Sequence, residues 1–432
     1  MNQLAAWITR AAAHAPQAAA LIADGAVLSF SALAERSCGE GCMAVTSTSA
    51  QALALSAYAC AFHGACFFPL NPALPQPRLD ALREQGGAGF PPVELLIATS
   101  GSGGEPKCVM LSGANLAASV AASHARLPLQ PGDIWLDCLP LYHIGGISIL
   151  YRCAAARATV LLHEGFDARR VWGDLTDHGV THISLVPAML ARLLDIAHGA
   201  PPPLTLKYAL IGGGALSGEL AARARASGWP LCASYGMSET ASQLTSLFPL
   251  PHDWAPGCVG TPLPGFEVRI ADPDAAGAGV IQVRGAAVMA GYANPAHELG
   301  VGLQDGWLTS GDLGQIDAGG RLYVLGRRDD MLVSGGVNVH PVEVEALLLR
   351  FPGVRDAALT ALPDAVWGDR LVALVVGDAE PEALAAWCRE HLASAARPRV
   401  VQRVAELPRT ALGKLERAKL RKMAQEFVDD AA

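Results

Sequence analysis

The sequence lacks any block of basic residues. Its 432 residues include 32 Lys and Arg against 40 Asp and Glu, which gives a formal net charge of −8. Because binding to nucleic acid depends on clustered Lys and Arg, nucleic acid is not expected as a partner. The chain is 17% charged and 51% hydrophobic. It therefore has enough apolar material for a large core, and it is too long for one ordinary domain.

The sequence also lacks a cysteine pattern typical of a metal site. Its ten cysteines are scattered, and the closest pair is Cys38 and Cys42. No second pair lies at a spacing that would complete a metal site with them. Scattered cysteines of this kind favour buried or free thiols in a reducing compartment. We therefore expect a cytoplasmic protein.

Two apolar stretches could be mistaken for a signal peptide or a membrane span, but both are interrupted. His14, Pro16 and Gln17 interrupt the Ala-rich start, which argues against a signal peptide. The uncharged stretch 51–70 is divided by Gly64 into ALALSAYACAF and ACFFPL. These halves indicate a buried helix and a short buried strand, and a transmembrane helix is the less favoured alternative. We expect no membrane partner, whereas a homo-oligomer is left open.

From Val93 onward, short apolar runs alternate with helical stretches, which predicts parallel sheets covered by helices. Residues 257–335 are richer in Gly, Asp and turns and contain β-like runs, and the tail returns to mixed α and β. The polar segment GRRDD separates these two textures. We therefore predict an N-terminal domain over residues 1–326 and a C-terminal domain over residues 327–432. The predicted strands are VELLIAT (93–99), DIWLDCLPL (133–141), ATVLLHE (158–164), HISLVP (182–187), YALIGGG (208–214) and LCASYG (231–236).

The Gly-rich segment TSGSGGEPK follows a predicted strand directly and runs from Thr99 to Lys107. Small residues after a strand leave backbone N–H groups free to surround phosphate oxygens. The hydroxyls of Thr99, Ser100 and Ser102 and the charge of Lys107 would add to that binding. A Walker P-loop is excluded because Pro106, not Gly, precedes the lysine. A plain surface turn is the alternative interpretation.

Two further segments near the middle of the chain favour a nucleotide. In ASYGMSETAS (233–242), Tyr235 can stack on a purine ring, and the Glu239 carboxylate can hold Mg²⁺. The alternative is a buried tyrosine with a helix-capping Ser238–Glu239 pair. In IGGGA (211–215), three glycines after a strand let the backbone approach a ligand closely. The spacing of these glycines is wrong for a dinucleotide fingerprint.

Three motifs lie farther along the chain. In SGDLG, Asp312 is predicted in a turn after the strand at Trp307, where its carboxylate could accept both ribose hydroxyls. An Asx-turn is the alternative. GRRDD supplies Arg327 for a phosphate or ribose, unless it is only a solvated linker. PRTALGKLER places Lys414 on a polar turn before a basic helix, where a lone lysine is otherwise a surface residue.

In this order and at this spacing, the motifs resemble the AMP-forming acyl-CoA synthetase family, also called adenylate-forming or luciferase-like. The similarity extends upstream through PQAAALIADGAVLSFSALAE and GACFFPLNPALPQP and covers nearly the whole chain. The resemblance implies an α/β fold with a large N-terminal domain of helix-covered parallel sheets and a β-rich subdomain, plus a small mobile α+β C-terminal domain. It also implies a reaction in which ATP and Mg²⁺ activate a carboxylic acid as an acyl-adenylate that passes to coenzyme A.

The resemblance assigns roles in nucleotide binding by position. Tyr235 would stack on adenine, and Asp312 would hold the ribose with Arg327 beside it. Gly103 stands where the family usually has Thr or Ser, so one hydroxyl of the phosphate loop is missing. The cofactor-binding residues implied in this way are Thr99, Ser100, Gly101, Ser102, Gly104, Lys107, Gly213, Gly214, Ala215, Tyr235, Gly236, Asp312 and Arg327.

The resemblance also implies which residues carry the chemistry. Ser238 would contact the α-phosphate, and Glu239 would bind the metal. Lys414 would bridge the carboxylate and the α-phosphate during adenylation. Asp329 would be the hinge about which the C-terminal domain turns, and the segment SGGVNVHPVEVE (334–345) would then face inward.

Within the family, the chain resembles the o-succinylbenzoate–CoA ligases of menaquinone biosynthesis, through stretches such as LPLYHIGGISILYR and SLVPAML. This resemblance implies that His143 and Ser184 line the acyl pocket, with His143 at its gate. It also implies that Arg152 binds a second carboxylate, unless this arginine faces solvent on its helix. Gly145 stands where those ligases usually have Ser, and residues 82–93 look shortened. Another aryl or short acyl acid, or transfer to a carrier protein, is therefore the alternative.

Overall fold

The computed structural model describes residues 2–35, 43–87, 92–100, 106–296, 298–364, 366–410, 413 and 415–430, with only the backbone given for residues 100, 106, 338 and 428–430. No helix in these ranges is long and apolar enough to cross a membrane. Its helices are α1 (Gln3–His14), α2 (Phe30–Ala34), α3 (Ala50–Phe62), α4 (Gln76–Gly86), α5 (Gly113–Arg126), α6 (Ile144–Ala156), α7 (Ala168–Asp177), α8 (Pro187–Ala197), α9 (Gly218–Ala226), α10 (Pro341–Leu348), α11 (Pro381–His391) and α12 (Arg417–Asp430).

Local sequence signals explain where several helices begin. Ser49, Ser112, Asp167 and Ser217 each precede a helix and accept a hydrogen bond from a backbone N–H three residues later. Such caps satisfy donors that the first helical turn leaves unpaired. Helices α8, α10 and α11 begin instead with proline, whose fixed φ suits the first helical position.

The largest sheet has nine strands in the order β13-β12-β11-β10-β9-β7-β8-β1-β2. Its central strands from β1 to β11 pair in parallel, whereas β2, β12 and β13 are antiparallel additions at the edges. The strands are β1 (Ala19–Ala23), β2 (Ala26–Ser29), β7 (Ile134–Asp137), β8 (Thr159–Leu162), β9 (His182–Leu185), β10 (Tyr208–Ile211), β11 (Leu231–Met237), β12 (Ser242–Leu247) and β13 (Thr261–Pro262).

Both faces of this sheet are covered. Trp135 and Val160 belong to an apolar cluster shared with α1, α3, α5 and α6, whereas their neighbours Leu136 and Leu161 belong to a second cluster with α7, α8 and α9. Adjacent residues of a strand point to opposite faces, so helices must pack on both. The strands predicted from the apolar runs are confirmed, with shorter bounds for most of them.

The second sheet has the order β16-β6-β5-β4-β3, with β3 (Met43–Thr46), β4 (Phe67–Leu70), β5 (Val93–Ser100), β6 (Pro106–Ser112) and β16 (Gly291–Tyr292). Helix α3 and strand β4 confirm the interpretation of the uncharged stretch as a helix followed by a buried strand. The sheet is not wholly parallel. Thr99 pairs with Lys107 across an antiparallel β5–β6 hairpin, so the Gly-rich segment joins two strands rather than a strand and a helix.

The third sheet is antiparallel throughout and forms the β-rich subdomain. Its strands are β14 (Phe266–Ala271), β15 (Gly279–Gly285), β17 (Leu303–Gln304), β18 (Trp307–Ile316) and β19 (Leu322–Arg327). The expectation that Asp312 lies in a turn is wrong. Asp312 lies inside β18 and pairs directly with Arg327 of β19, beside an irregularity in the register. The Gly-containing motif disturbs the ladder there without ending the strand.

The fourth sheet contains β20 (Leu332–Ser334), β21 (Val337–Val339), β22 (Val354–Asp364), β23 (Gly368–Gly377) and β24 (Val400–Arg403). Apolar clusters made only of residues from this part of the chain cover both its faces, with Leu359 on one and Ala358 on the other. Such independent burial is typical of a separate domain. The boundary stays a prediction, and the structure gives a 3₁₀ turn at Arg328–Asp330 between β19 and β20.

The eight cysteines in the described ranges are free and buried, as expected from their scatter. Cys38 and Cys42 lie outside these ranges.

Candidate active site

A carboxylate is fixed where the largest sheet meets the β-rich subdomain. The Tyr235 hydroxyl donates a hydrogen bond of 2.6 Å to Asp312 Oδ2, and Arg327 Nη1 lies 3.5 Å from Asp312 Oδ1. Gly311 leaves room for the guanidinium, because a Cβ there would lie 2.7 Å from Arg327 Nη2. Burial and the nearby carboxylate raise the pKa of Tyr235 well above its ordinary value, so it remains a donor. The structure thus brings together three residues predicted for the nucleoside.

The IGGGA segment leaves β10 and is exposed from Gly213 to Ala215. Gly213 has a φ of +72°, which favours glycine, and a Cβ there would lie 3.3 Å from Val186 Cγ1. Gly214 and Ala215 follow on the exposed side of this turn. Gly236, one residue after Tyr235, tolerates no side chain because its Cβ would overlap the Ser242 carbonyl. Backbone conformation therefore favours glycine at 213, and close backbone packing requires it at 236, whereas their roles toward a nucleotide stay predictions.

Glu239 lies on a 3₁₀ turn, Ser238–Thr240, and is held by a residue that sequence reasoning missed. The Tyr292 hydroxyl donates a hydrogen bond of 2.8 Å to Glu239 Oε1, and Lys107 Nζ lies 4.9 Å from the Tyr292 ring centroid. Thr99 Oγ1 donates to the Lys107 carbonyl oxygen at 3.3 Å. Tyr292 thus joins the base of the Gly-rich hairpin to the carboxylate predicted to bind metal.

Gly101, Ser102, Gly103 and Gly104 lie outside the described residues, as does Lys414. Their predicted roles stay predictions.

The predicted partner of a second carboxylate is a buried cation. The Arg152 side chain on α6 is 1% exposed, which rules out the alternative in which it faces solvent. Its Nη2 donates a hydrogen bond of 3.0 Å to Ser242 Oγ, and its Cζ lies 5.4 Å from the Trp135 ring centroid. Burial lowers the pKa of Arg152 to about 10, so the guanidinium stays charged at neutral pH. Burial of a charge is costly unless it is well paired, which favours an anionic ligand here.

Electrostatic interactions with Cys153 and Asp137 raise the pKa of Arg152 and so partly oppose the effect of burial. Asp137 is fully buried, and burial raises the pKa of its carboxyl well above the ordinary value. His124 is largely neutral, because burial and then Arg152 lower its pKa to about 4. Arg152 Nε, Asp137 Oδ2 and His124 Nε2 are all buried without a hydrogen-bond partner. Unpartnered buried polar atoms are uncommon, so these atoms fit a polar ligand better than a purely structural core.

Ser242 was missed as a site residue, although it ends the quoted motif ASYGMSETAS. Its φ of +100° is a rare conformation for a serine, and strain of this kind is most often retained at functional sites. Ser148 on α6 also points to it, at 3.4 Å between the two hydroxyl oxygens. Ser242 therefore connects the strand that follows Glu239 to the helix that carries Arg152.

His143 and Ser184 lie at different depths. His143 caps the start of α6, with its ring 4.8 Å from that of Tyr142. Ser184 is buried in β9, where its hydroxyl accepts a hydrogen bond of 3.1 Å from Trp135 Nε1. Trp135, also missed, therefore lies between Ser184 and Arg152. A direct role of Ser184 with substrate stays a prediction.

The turn that precedes Lys414 touches the N-terminal domain. Gly413 has a φ of +72°, and a Cβ there would lie 3.2 Å from Ala188 Cβ and 3.4 Å from Val186 Cγ2. Val186 also lies against Gly213, on the other side. The structure therefore brings the C-terminal PRTALGKLER turn beside the IGGGA segment, although about 200 residues of chain separate them.

The predicted hinge residue lies in the 3₁₀ turn between the domains. Asp329 Oδ2 is 4.0 Å from Arg327 Nη2, and its neighbour Asp330 approaches Arg417 Nε at 3.6 Å. The segment predicted to turn inward, 334–345, contains β21, where Val337 is 52% exposed, whereas Val339 and Val344 are buried. Val337 is thus exposed in this arrangement of the domains, while Val339 and Val344 pack in the C-terminal core.

Comparison with known proteins agrees with this geometry. The AMP-binding enzyme family matches residues 93–293, and the AMP-binding enzyme C-terminal domain matches residues 343–414. The 2-succinylbenzoate–CoA ligase of Bacillus pumilus is 38% identical over 342 residues, which cover 78% of this chain and 70% of that protein. The ligase of the same name from Bacillus licheniformis is 38% identical over 75% of this chain and 69% of its own length.

Solved structures give the same result. The o-succinylbenzoate coenzyme A synthetase (MenE) of Bacillus subtilis, in complex with ATP and magnesium ion, is 30% identical with a TM-score of 0.86, over 96% of this chain and 99% of that one. ATP-bound MatB of Rhodopseudomonas palustris is 25% identical with a TM-score of 0.87, over 99% and 100%. This chain belongs to the AMP-binding enzyme family, the AMP-forming acyl-CoA synthetases, which are acid–thiol ligases. The resemblance drawn from the motifs and the predicted fold class are confirmed.

Proposed function

We propose that this chain is an o-succinylbenzoate–CoA ligase. It would join the acid to ATP, with release of pyrophosphate, and then transfer the acyl group from AMP to the sulfur of coenzyme A. The buried guanidinium of Arg152 is the observation that carries the choice of acid, because the second carboxylate of a dicarboxylate offers it an anion. The two Bacillus relatives named 2-succinylbenzoate–CoA ligase support the same choice.

The residues predicted to bind the nucleotide would contact its ribose and its adenine. Asp312, fixed by Tyr235 and Arg327, has lone pairs left for ribose hydroxyls. The glycines after β10 would let adenine approach the backbone, and Tyr235 would stack on the ring. The B. subtilis synthetase was solved with ATP and magnesium ion and with the acyl-adenylate OSB-AMP, which supports ATP and Mg²⁺ as cofactors.

Glu239 would hold the metal. The described residues contain no cluster of three or more His, Cys, Asp and Glu side chains that could bind a metal by themselves. A single carboxylate nevertheless fits Mg²⁺, which is usually bound by one or two carboxylates together with substrate phosphates. When bound, the ion would neutralise part of the negative charge of the phosphates. Tyr292 would orient the carboxylate through its hydrogen bond to Glu239 Oε1.

Adenylation brings two anions together, so charge neutralisation and positioning must provide much of the rate enhancement. Lys414 would stabilise the charge shared between the carboxylate and the α-phosphate, together with Ser238. The contact of Gly413 with Val186 and Ala188 supports this role, because it brings the lysine's turn to the N-terminal domain. His143 would lie at the gate of the acyl pocket. The eight free cysteines support a cytoplasmic location.

Release of pyrophosphate from ATP over a panel of acids tests the proposal. The panel should include o-succinylbenzoate and 4-oxo-4-phenylbutanoate, which lacks only the carboxylate on the ring. We expect o-succinylbenzoate to be preferred in kcat/KM by about ten- to a hundredfold. Coenzyme A should then accept the acyl group without a carrier protein. A better rate with a monocarboxylate would reject the choice of acid and leave the ligase class standing.

The Arg152→Gln variant tests the placement of the second carboxylate. A charge-assisted pair contributes about 1.5–3 kcal/mol, so KM for o-succinylbenzoate should rise by about ten- to a hundredfold. KM for ATP should barely change, and Arg152→Lys should recover part of the loss. The two acids of the panel should also become nearly equal substrates. If Arg152→Gln is silent while the wild type uses o-succinylbenzoate, the second carboxylate binds elsewhere.

A further inference from the structure

The two ends of the turn that carries Lys414 are joined by backbone pairing. Arg409 and Leu415 form an antiparallel bridge, and the Glu416 N–H donates a hydrogen bond of 2.9 Å to the Pro408 carbonyl oxygen. Within the turn, the Gly413 N–H donates a hydrogen bond of 2.8 Å to the Thr410 carbonyl oxygen. The backbone on both sides of Lys414 is therefore constrained, although Lys414 itself lies outside the described residues.

The Arg409 side chain spans the turn. Its Nη2 lies 2.8 Å from both oxygens of Asp356, and its Nε donates to Asp356 Oδ2 at 3.3 Å. Its Nη1 donates a hydrogen bond of 2.7 Å to the carbonyl oxygen of Gly413. Asp356 belongs to β22, a long strand at the edge of the C-terminal sheet that pairs with β23 along most of its length. The guanidinium thus ties one peptide of the turn to a rigid strand.

The position of this bond is more informative than its strength. The Arg409 and Asp356 side chains are 32% and 33% exposed, and exposed ion pairs contribute only about 0–1 kcal/mol to stability. However, the Gly413 carbonyl and the Lys414 N–H belong to the same planar peptide unit. Fixing the carbonyl oxygen therefore fixes the direction in which the chain enters Lys414.

We propose that Arg409, held by Asp356, is a positioning residue for Lys414 in the adenylation step. It orients the Gly413–Lys414 peptide while Gly413 lies against Val186 and Ala188. The inference rests on the proposed function, in which Lys414 acts in adenylation only. Once the turn leaves the N-terminal domain, the orientation set by Arg409 no longer affects the reacting groups. Arg409 should therefore matter for one half-reaction and not for the other.

The test measures the two half-reactions separately in the full chain. Arg409→Met should lower kcat for pyrophosphate release by about ten- to a hundredfold, because small misplacements of a catalytic group have effects of this size. KM for ATP and for the acid should change little. Thioester formation from supplied acyl-adenylate should stay within about twofold of the wild type, since that step does not use the turn.

Two further variants separate positioning from simple destabilisation. Arg409→Met combined with Asp356→Asn should be no slower than Arg409→Met alone, because both act through one peptide. Arg403→Met is the matched control, since Arg403 is an exposed arginine of the same domain that pairs with Glu380 at 3.7 Å. It should leave both half-reactions unchanged.

The possible results are distinct. Equal losses in both half-reactions, or an equal loss in Arg403→Met, would overturn the inference, because they would indicate general damage to the domain. Unchanged pyrophosphate release in Arg409→Met would overturn it as well. If the wild type adenylates no acid, the proposed function fails and the inference fails with it. If the wild type is active and Lys414→Ala is inactive, a silent Arg409→Met rejects the inference alone.

Discussion

The nucleoside site and the Lys414 turn are held together in opposite ways. At the nucleoside site, Asp312 has a side chain that is 14% exposed and bonds to Tyr235, which is anchored in the largest sheet. At the turn, the Arg409–Asp356 pair is about one-third exposed, and Gly413 approaches Val186 and Ala188 of the N-terminal domain so closely that a side chain on it would crowd them. The first region is built into the sheets, and the second is attached at the surface.

This difference fits a reaction in two steps. A nucleotide must stay bound while the acid is activated and while the thiol attacks, so its site benefits from buried hydrogen bonds, which are stronger in a medium of low dielectric constant. A group that acts in one step only must leave afterwards. Exposed ion pairs and a few apolar contacts cost little to break, so they allow that departure.

The largest expected effect tests the second region. Lys414→Ala should slow adenylation by about a hundred- to a thousandfold, because it removes a cation from the developing charge. Thioester formation from supplied acyl-adenylate should be largely spared. Separate assays of pyrophosphate release and of thioester yield check this. Equal loss in both steps would mean that the two regions do not work in alternation.

Asp312→Ala tests the first region. Loss of charge-assisted hydrogen bonds to the ribose should raise KM for ATP by about ten- to a hundredfold. Because the acyl-adenylate carries the same ribose, its use in the thioester step should weaken as well. Glu267→Ala, on an exposed pair with Arg284 in the same subdomain, is the control and should change neither constant. An unchanged KM for ATP would remove Asp312 from the nucleotide site.

Asp329→Pro tests the connection between the regions. Proline fixes φ, which removes one of the backbone rotations available at this position, so the connection between the domains should stiffen in one arrangement. Thioester formation should fall by about tenfold while adenylation survives. Asp329→Ala is the matched control, since it removes only the 4.0 Å contact with Arg327. If both rates of Asp329→Pro equal those of the wild type, the hinge lies elsewhere.

A fall in pH should destabilise the N-terminal domain, which contains the nucleoside site, through the protonation of His182. Burial is the main cause that lowers the pKa of His182 from its ordinary 6.5 to about 4; the nearby Lys207 also lowers it, whereas Asp133 opposes the shift. The unfolded chain therefore takes up the proton first. Stability is full above pH 6.5 and is lost as the pH falls toward 4, by about 1.4 kcal/mol per pH unit.

His182→Phe should flatten this dependence, because the ring can still pack between Trp135 and Tyr208, each 5.0 Å from His182. Thermal unfolding between pH 7 and pH 4 checks it by following the transition of the N-terminal domain. The C-terminal transition serves as the internal control, since it should respond equally in the two proteins. An unchanged slope in the variant would show that His182 does not titrate on unfolding.

The sequence by itself determined the elements and the order of the motifs. Alternating apolar runs predicted the central strands, Gly64 separated α3 from β4, and the spacing from Thr99 to Lys414 led to the family. These features depend on local chemistry, such as side-chain periodicity and the conformational freedom of glycine, and local chemistry is legible without coordinates.

Only the tertiary structure decided which of these elements meet. Tyr235 reaches Asp312 across 77 residues, Tyr292 reaches Glu239 across 53, and Gly413 lies on Val186. Sequence reasoning put Asp312 in a turn and left Arg152 undecided between solvent and substrate, because the partner strand of Asp312 and the covering of α6 come from distant segments. Sheet order and domain docking set such contacts, and both are properties of the whole chain, because burial depends on every segment that packs nearby.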